Sequence, residues 1–198
     1  MKSLNLYFDF SSPYSYLTVA RLPILAQQAG VHVNYKPIVL GSIFNTLGWK
    51  GSPFLEQPRK LAHMWVDMQR QADKYQLPFK VPQVFPSNGL MAARVVTAHA
   101  SSPWVIEFSQ RVFRSYFADD RPLDDVDWMA HLLRDLNVDA ATAIALACSN
   151  STKQLLRDIT LEADALGVFG APSMVVGKAL FWGNDRLEDA LAHCLVGK

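Results

Sequence analysis

The sequence predicts an α/β fold divided by a large all-helical insert. Three observations predict it. Strand-like and helix-like patterns alternate as β-α-β over residues 1–40, the middle of the chain carries helical patterns only, and the end returns to β-β-α with a proline just before the first late strand. The chain has 198 residues, half of them hydrophobic, which suits one domain, or one domain with an insertion, around a sizeable core.

Each element has a local reason. Leu4, Leu6, Phe8 and Phe10 alternate with Asn5, Tyr7 and Asp9, so residues 4–9 read as a strand. The stretch FDFSSPYSYL follows. Ser12 is a good N-cap, and Pro13 sits where a first helical turn tolerates proline. Tyr16, Leu17, Ala20, Leu22, Leu25 and Ala26 form a helical stripe that Gly30 closes. VHVNYKPIVL, residues 31–40, alternates again, and the intervening helix is long enough to cross between parallel strands.

Gly41, Gly48, Gly51, Pro53 and Pro58 then predict a loop-rich, mobile connector over 41–58. Residues 59–76 are helical: Met64, Met68 and Ala72 step by four, and Asp67 pairs with Arg70. Pro78, Pro82 and Pro86 keep 78–89 irregular. Further helices are expected at 89–100, 103–118, 124–135, 139–147 and 151–166. SMVV and Lys178 to Trp182 are short strands, and Asn184 or Asp185 caps a closing helix through Leu195. The expected division is 1–40 and 161–198 for the two halves of the α/β part, with 41–160 as the helical insert.

Composition excludes several functions. The net charge is +1 with no basic run, so no nucleic-acid partner is expected. No apolar run reaches the length of a membrane span, and MKSLNLYFDF lacks a secretory h-region. Cys148 and Cys194 lie far apart and form no CxxC, which points to a reducing, cytoplasmic setting. His63, His99, His131 and His193 have no ligand-like spacing, so no metal site is expected.

The turn at Ser12 carries the chemistry. A helix start offers free N–H groups and the positive end of the macrodipole, a field that lowers a thiol pKa. Here the turn holds Ser11, Ser12 and Ser15 and no thiol, so disulfide exchange at this position is impossible. Read alone, Ser12 is first of all a plain N-cap. Read alone, Pro172 is either an edge-strand proline or a cis-proline.

The whole layout is that of a thioredoxin fold with an inserted helical domain, and three motifs carry a closer resemblance. FDFSSPYSYL resembles the first turn of DsbA-like proteins, with Ser12-Pro13-Tyr14-Ser15 replacing Cys-x-x-Cys. FGAPSM, residues 169–174, resembles their cis-Pro loop. WGNDRLE, residues 182–188, resembles the Gly-Ser/Asn-Asp-Arg loop of kappa-class glutathione transferases, and DMQRQADKYQLPF with FPSN is also similar to that group. Together they resemble the 2-hydroxychromene-2-carboxylate isomerase family, a kappa-like, glutathione-dependent group.

The resemblance implies glutathione as cofactor. Ser12 would donate to its sulfur. Lowering a thiol from ~8.5 by about two units takes ~2.7 kcal/mol of differential stabilisation and makes it mostly thiolate at neutral pH. Ala171 and Pro172, in the cis form, would offer unpaired Ala171 N–H and C=O groups to the tripeptide backbone. Trp182, Gly183, Asn184 and Asp185 would hold the γ-glutamyl end, with Asn184 on the carboxylate and Asp185 on the ammonium. Arg186 reads as a surface or salt-bridge residue. The implied reaction opens a ring-closed 2-hydroxychromene-2-carboxylate to trans-o-hydroxybenzylidenepyruvate, the thiolate acting as a reversible nucleophile.

For the substrate, Asn88 is the candidate polar contact, and Phe44, Trp49 and Phe54 the apolar wall. Two departures stand out: Gly89 follows FPSN where relatives carry a larger residue, and the connector does not reproduce the family's Lys and Asn/Arg pattern. Another conjugated or aromatic acid is therefore an alternative substrate. A kappa-like transferase or peroxidase and a non-catalytic thioredoxin-like binding module are the alternative functions. The kappa resemblance implies a homodimer.

Overall fold

The computed structural model describes residues 2–196. β1 (Ser3–Phe8), helix α1 (Pro13–Ala29) and β2 (His32–Pro37) open the chain as the alternating patterns require. Helices α2 (Leu40–Thr46), α3 (Pro53–Glu56), α4 (Pro58–Tyr75), α5 (Leu90–Ala98), α6 (Val105–Phe117), α7 (Val126–Asp135), α8 (Ala140–Cys148) and α9 (Asn150–Ala165) follow. β3 (Ser173–Val176), β4 (Ala179–Trp182), a 3₁₀ turn (Asn184–Arg186) and α10 (Leu187–Val196) close it. The sheet order is β2-β1-β3-β4. β1 runs parallel to β2, with Leu4 opposite Val33, and antiparallel to β3, with Leu6 opposite Met174.

β1 is the central strand and is covered on both faces, as a strand fed by a crossover helix must be. Leu4, Leu6 and Phe8 face one core, together with Leu17 and Leu22 of α1, Phe113 of α6 and Leu187 of α10. Tyr7 faces a smaller core with Ile38, Val175 and Ala163 of α9. Insert and sheet share the first core: Met64, Met68, Ala72, Val95 and Phe108 belong to the same cluster as β1. Phe113 of α6 meets Phe8 and Phe10, at centroid distances of 6.0 and 4.8 Å.

Two expectations change. The 41–58 connector contains α2 and α3 rather than only loop. Ile43, 1% exposed, pins α2 to the smaller core, and Pro53 occupies a helix start instead of breaking one. At the other end, neither Asn184 nor Asp185 caps α10 with its side chain. Gly183 precedes a 3₁₀ turn that leads into the helix, and no side-chain cap bond is made there. The Asn184 side chain turns into the protein instead, towards Thr18 and Arg21.

Candidate active site

β1 ends at Phe8, and the chain turns directly into α1, so the helix begins at the carboxyl end of the central strand. That is where α/β sheets place their ligands. Ser12 caps α1: its Oγ accepts the Ser15 N–H at 3.2 Å. The same hydroxyl donates to the Ala171 carbonyl at 2.7 Å. Pro13 has no N–H and Ser15 spends its own on the cap, so Tyr14 keeps the first free amide of the helix end.

The Ala171–Pro172 peptide is cis, and it faces this helix start. The expectation of two unpaired Ala171 groups is half met. Its N–H has no partner among the described residues, but its carbonyl is taken by Ser12. A hydroxyl at this position reaches its neighbour across the turn, so serine closes the gap to the carbonyl.

These groups form the floor of a cavity of about 1080 Å³. It gathers Ser12, Ala171, Pro172, Trp182, Gly183, Asn184 and Asp185, and it extends to Asn88. Phe44, Trp49 and Phe54 line its far side. Neither cysteine lines it: Cys148 ends α8, exposed, and Cys194 lies buried in α10.

Short contacts fix the walls. Ser11 Oγ donates to the Ser87 carbonyl, and the Ser87 hydroxyl accepts the Leu123 N–H at 2.8 Å. The 85–89 loop is thus fastened to the Ser12 turn. Gly89 is required there: a Cβ on it would sit 2.8 Å from the Phe10 Cβ. Its absence of side chain is a packing demand of this turn. Asn88 accepts the Leu90 N–H on Oδ1 at 3.1 Å, which leaves its Nδ2 as a donor at the exposed cavity edge. On the opposite rim the Trp182 ring lies over Gly170 and packs on Phe169 at 4.8 Å. Gly183 has φ +107°, a conformation that only glycine adopts readily.

Sequence reasoning missed several charged groups. Asp9 lines the cavity directly below the turn. Its Oδ1 accepts the Ser11 N–H at 2.7 Å and its Oδ2 the Leu40 N–H at 2.9 Å. Burial pushes its carboxyl above the usual range, and these two amide bonds only partly counter that. Lys60, His63, Met64, Asp67 and Gln71 form the cavity-facing stripe of α4. Their i, i+3, i+4, i+7 and i+11 spacing was a readable signal of a shared face. Asp67 accepts the Tyr14 hydroxyl at 2.9 Å, and burial followed by this bond raises the Tyr14 phenol pKa. Lys60 and Arg186 are the lysine and arginine on the lining, and Arg186 is engaged by Asp189 and Asp185 at 3.3 and 3.7 Å. Among the described residues no group of three or more His, Cys, Asp or Glu could hold a metal ion, and no helix is long and apolar enough to cross a membrane.

A helix start set against a cis-proline loop at the edge of a β-α-β … β-β-α sheet is a specific juxtaposition, and the family model of the DSBA-like thioredoxin domain matches residues 3–194. The chain belongs to the DSBA-like thioredoxin family. It is 31% identical over 188 residues to a 2-hydroxychromene-2-carboxylate isomerase of Sphingobium xenophagum, covering 94% of this chain and 95% of the relative. It is 26% identical to glutathione S-transferase kappa 2 of Caenorhabditis elegans, covering 94% and 88% of the two chains. A solved 2-hydroxychromene-2-carboxylate isomerase superposes with a TM-score of 0.88 at 28% identity, over 98% of this chain and 96% of that one. This DSBA-like chain differs from a disulfide exchanger in the feature its turn makes plain, serines at both positions 12 and 15.

Proposed function

We propose that this protein is a glutathione-dependent isomerase of a conjugated aromatic carboxylate, of the 2-hydroxychromene-2-carboxylate to trans-o-hydroxybenzylidenepyruvate type. One observation carries the reading. The cavity is built around the thiolate-stabilising end of a helix, yet no cysteine lines it. A site arranged for a thiolate that owns none fits a ligand that brings one.

The residues present fit glutathione. The free Ala171 N–H and the helix-start amide of Tyr14 suit a peptide and a thiolate. Asn184 and Asp185 lie together on the 182–186 side of the cavity, where a γ-glutamyl carboxylate and ammonium would be held. Lys60 adds a cation on the α4 wall for a second carboxylate. When bound, glutathione would supply a thiolate, a reversible nucleophile towards a conjugated carbon.

The chain's own residues do the rest. Ser12 would turn its O–H from the Ala171 carbonyl to the sulfur and favour the anion by a charge-assisted bond. The Ala171 carbonyl would then be free to accept the tripeptide's amide. Asn88 offers Nδ2 to the substrate carboxylate, and Phe44, Trp49 and Phe54 pack on its ring and exclude water.

The kappa-class relatives favour a second reading, net transfer of glutathione to an electrophile. One assay separates the two: incubate the protein with glutathione and a conjugated arylidene pyruvate, then follow both geometric isomer ratio and free thiol. Isomerisation at constant thiol supports the proposal. Thiol loss matching product formation supports the transferase, and no response to glutathione rejects both.

A further inference from the structure

We propose that Arg21 is a positioning residue that makes the Asn184 end of the cavity specific for a carboxylate. The inference rests on the glutathione reading above and assigns the residue that selects the γ-glutamyl end.

Arg21 lies on α1, more than two turns beyond Ser12, and does not line the cavity. Its side chain is 12% exposed. Three partners hold the guanidinium. Nη1 donates to Asn184 Oδ1 at 2.9 Å, Nη2 pairs with Glu188, and the carbon of the group sits 3.7 Å from the centroid of the Tyr75 ring. Thr18 Oγ1 donates to the same Asn184 Oδ1 at 3.3 Å.

This arrangement fixes the polarity of the Asn184 carboxamide. Arginine has no acceptor, so the atom it meets must be oxygen. Two donors then occupy both lone pairs of that oxygen. Asn184 is 4% exposed and lines the cavity, and its Nδ2 has no protein partner among the described residues and is not sealed from solvent. The only open valences of the residue are N–H donors. An amide free to flip would accept or donate with equal ease, but a clamped one donates only, and among acceptors a carboxylate takes the strongest, charge-assisted bond from it. The planar fork also stacks on Tyr75, which a lysine at this position would not reproduce.

The test is calorimetric titration of the full chain with two tripeptides: glutathione, and γ-aminobutyryl-cysteinylglycine, which lacks only the γ-glutamyl α-carboxylate. The unaltered protein is expected to prefer glutathione by about tenfold or more, the size of one charge-assisted hydrogen bond. Arg21→Met is expected to bind the analogue as before and to lose the preference to within about twofold, with KM for glutathione raised and kcat little changed. Arg21→Lys, which keeps a charge and a donor, is expected to fall between them, and it serves also if the methionine variant does not fold. Undiminished preference in Arg21→Met or in Arg21→Lys overturns the role of Arg21 while leaving glutathione binding standing. Failure of the unaltered protein to bind glutathione overturns both readings.

Discussion

The Ser12 hydroxyl donates to the Ala171 carbonyl at 2.7 Å while accepting the Ser15 N–H at 3.2 Å. One side chain therefore caps the helix and spans the floor of the cavity. Ser12→Ala removes both bonds. The lost cap is expected to lower stability by about 1 kcal/mol. The lost donor is expected to cut activity roughly ten- to a hundredfold. Activity that depends on a thiolate falls as pH drops through the bound thiol's pKa, so Ser12→Ala should move that fall to higher pH. The ultraviolet absorbance of bound thiolate across a pH series measures it. An unchanged profile in Ser12→Ala contradicts the assignment.

Asn88 uses its oxygen on Leu90 and has its nitrogen to spare. Asn88→Asp keeps an acceptor for the Leu90 N–H and replaces the donor with a negative charge. It is expected to leave thermal stability unchanged while raising KM for a carboxylate substrate about tenfold. Asn88→Ala should raise KM similarly and also cost about 1 kcal/mol through the lost Leu90 contact. Steady-state kinetics paired with melting curves separates the two effects.

Asp9 joins the Ser12 turn to the start of α2 through the Ser11 and Leu40 amides. Burial raises its pKa in the folded state, so folding favours the protonated form. The associated stability is fully present below the unfolded carboxyl pKa and declines as pH rises through the folded one. Asp9→Asn cannot ionise. The difference in melting temperature between the unaltered protein and Asp9→Asn should therefore move in favour of the variant as pH rises from about 4 to about 7. A gap that is constant with pH would show that the carboxyl titrates normally.

Gly89 lies against Phe10 with no space for a methyl group: an added Cβ would sit 2.8 Å from the Phe10 Cβ, 3.4 Å from Leu123 Cδ1 and 3.7 Å from the Phe10 Cα. The two Phe10 atoms cannot swing aside. Gly89→Ala is expected to destabilise the fold by about 1–3 kcal/mol, read as a lower urea midpoint, and to loosen the loop that carries Asn88.

The elements with strong periodicity were legible in the chain. Leu4, Leu6 and Phe8 announced β1, and the four-residue step of Met64, Met68 and Ala72 announced the buried face of α4. The cavity floor was legible because its residues fall in three short motifs. What stayed hidden depends on long-range partners. Gly41, Gly48 and Gly51 mask α2 and its neighbours, since the buried Ile43 and the Asp9–Leu40 bond rather than local propensity hold α2 in place. Asn184 after a glycine reads as a helix cap, and only Arg21 and Thr18 on a distant helix turn it inward. Asp9 reads as one more polar position in an alternating strand, until the fold brings Leu40 against it.

The register of β1 has a consequence for synthesis. Asn5 sits opposite Val175, so one edge of the central strand waits for residues made far downstream of it. Until they leave the ribosome, the growing polypeptide has β2 on one side of β1 and a bare row of amides on the other, a surface prone to mispairing. Of the helices made in between, α6 packs Phe113 on Phe8 and Phe10 and so covers that end of β1.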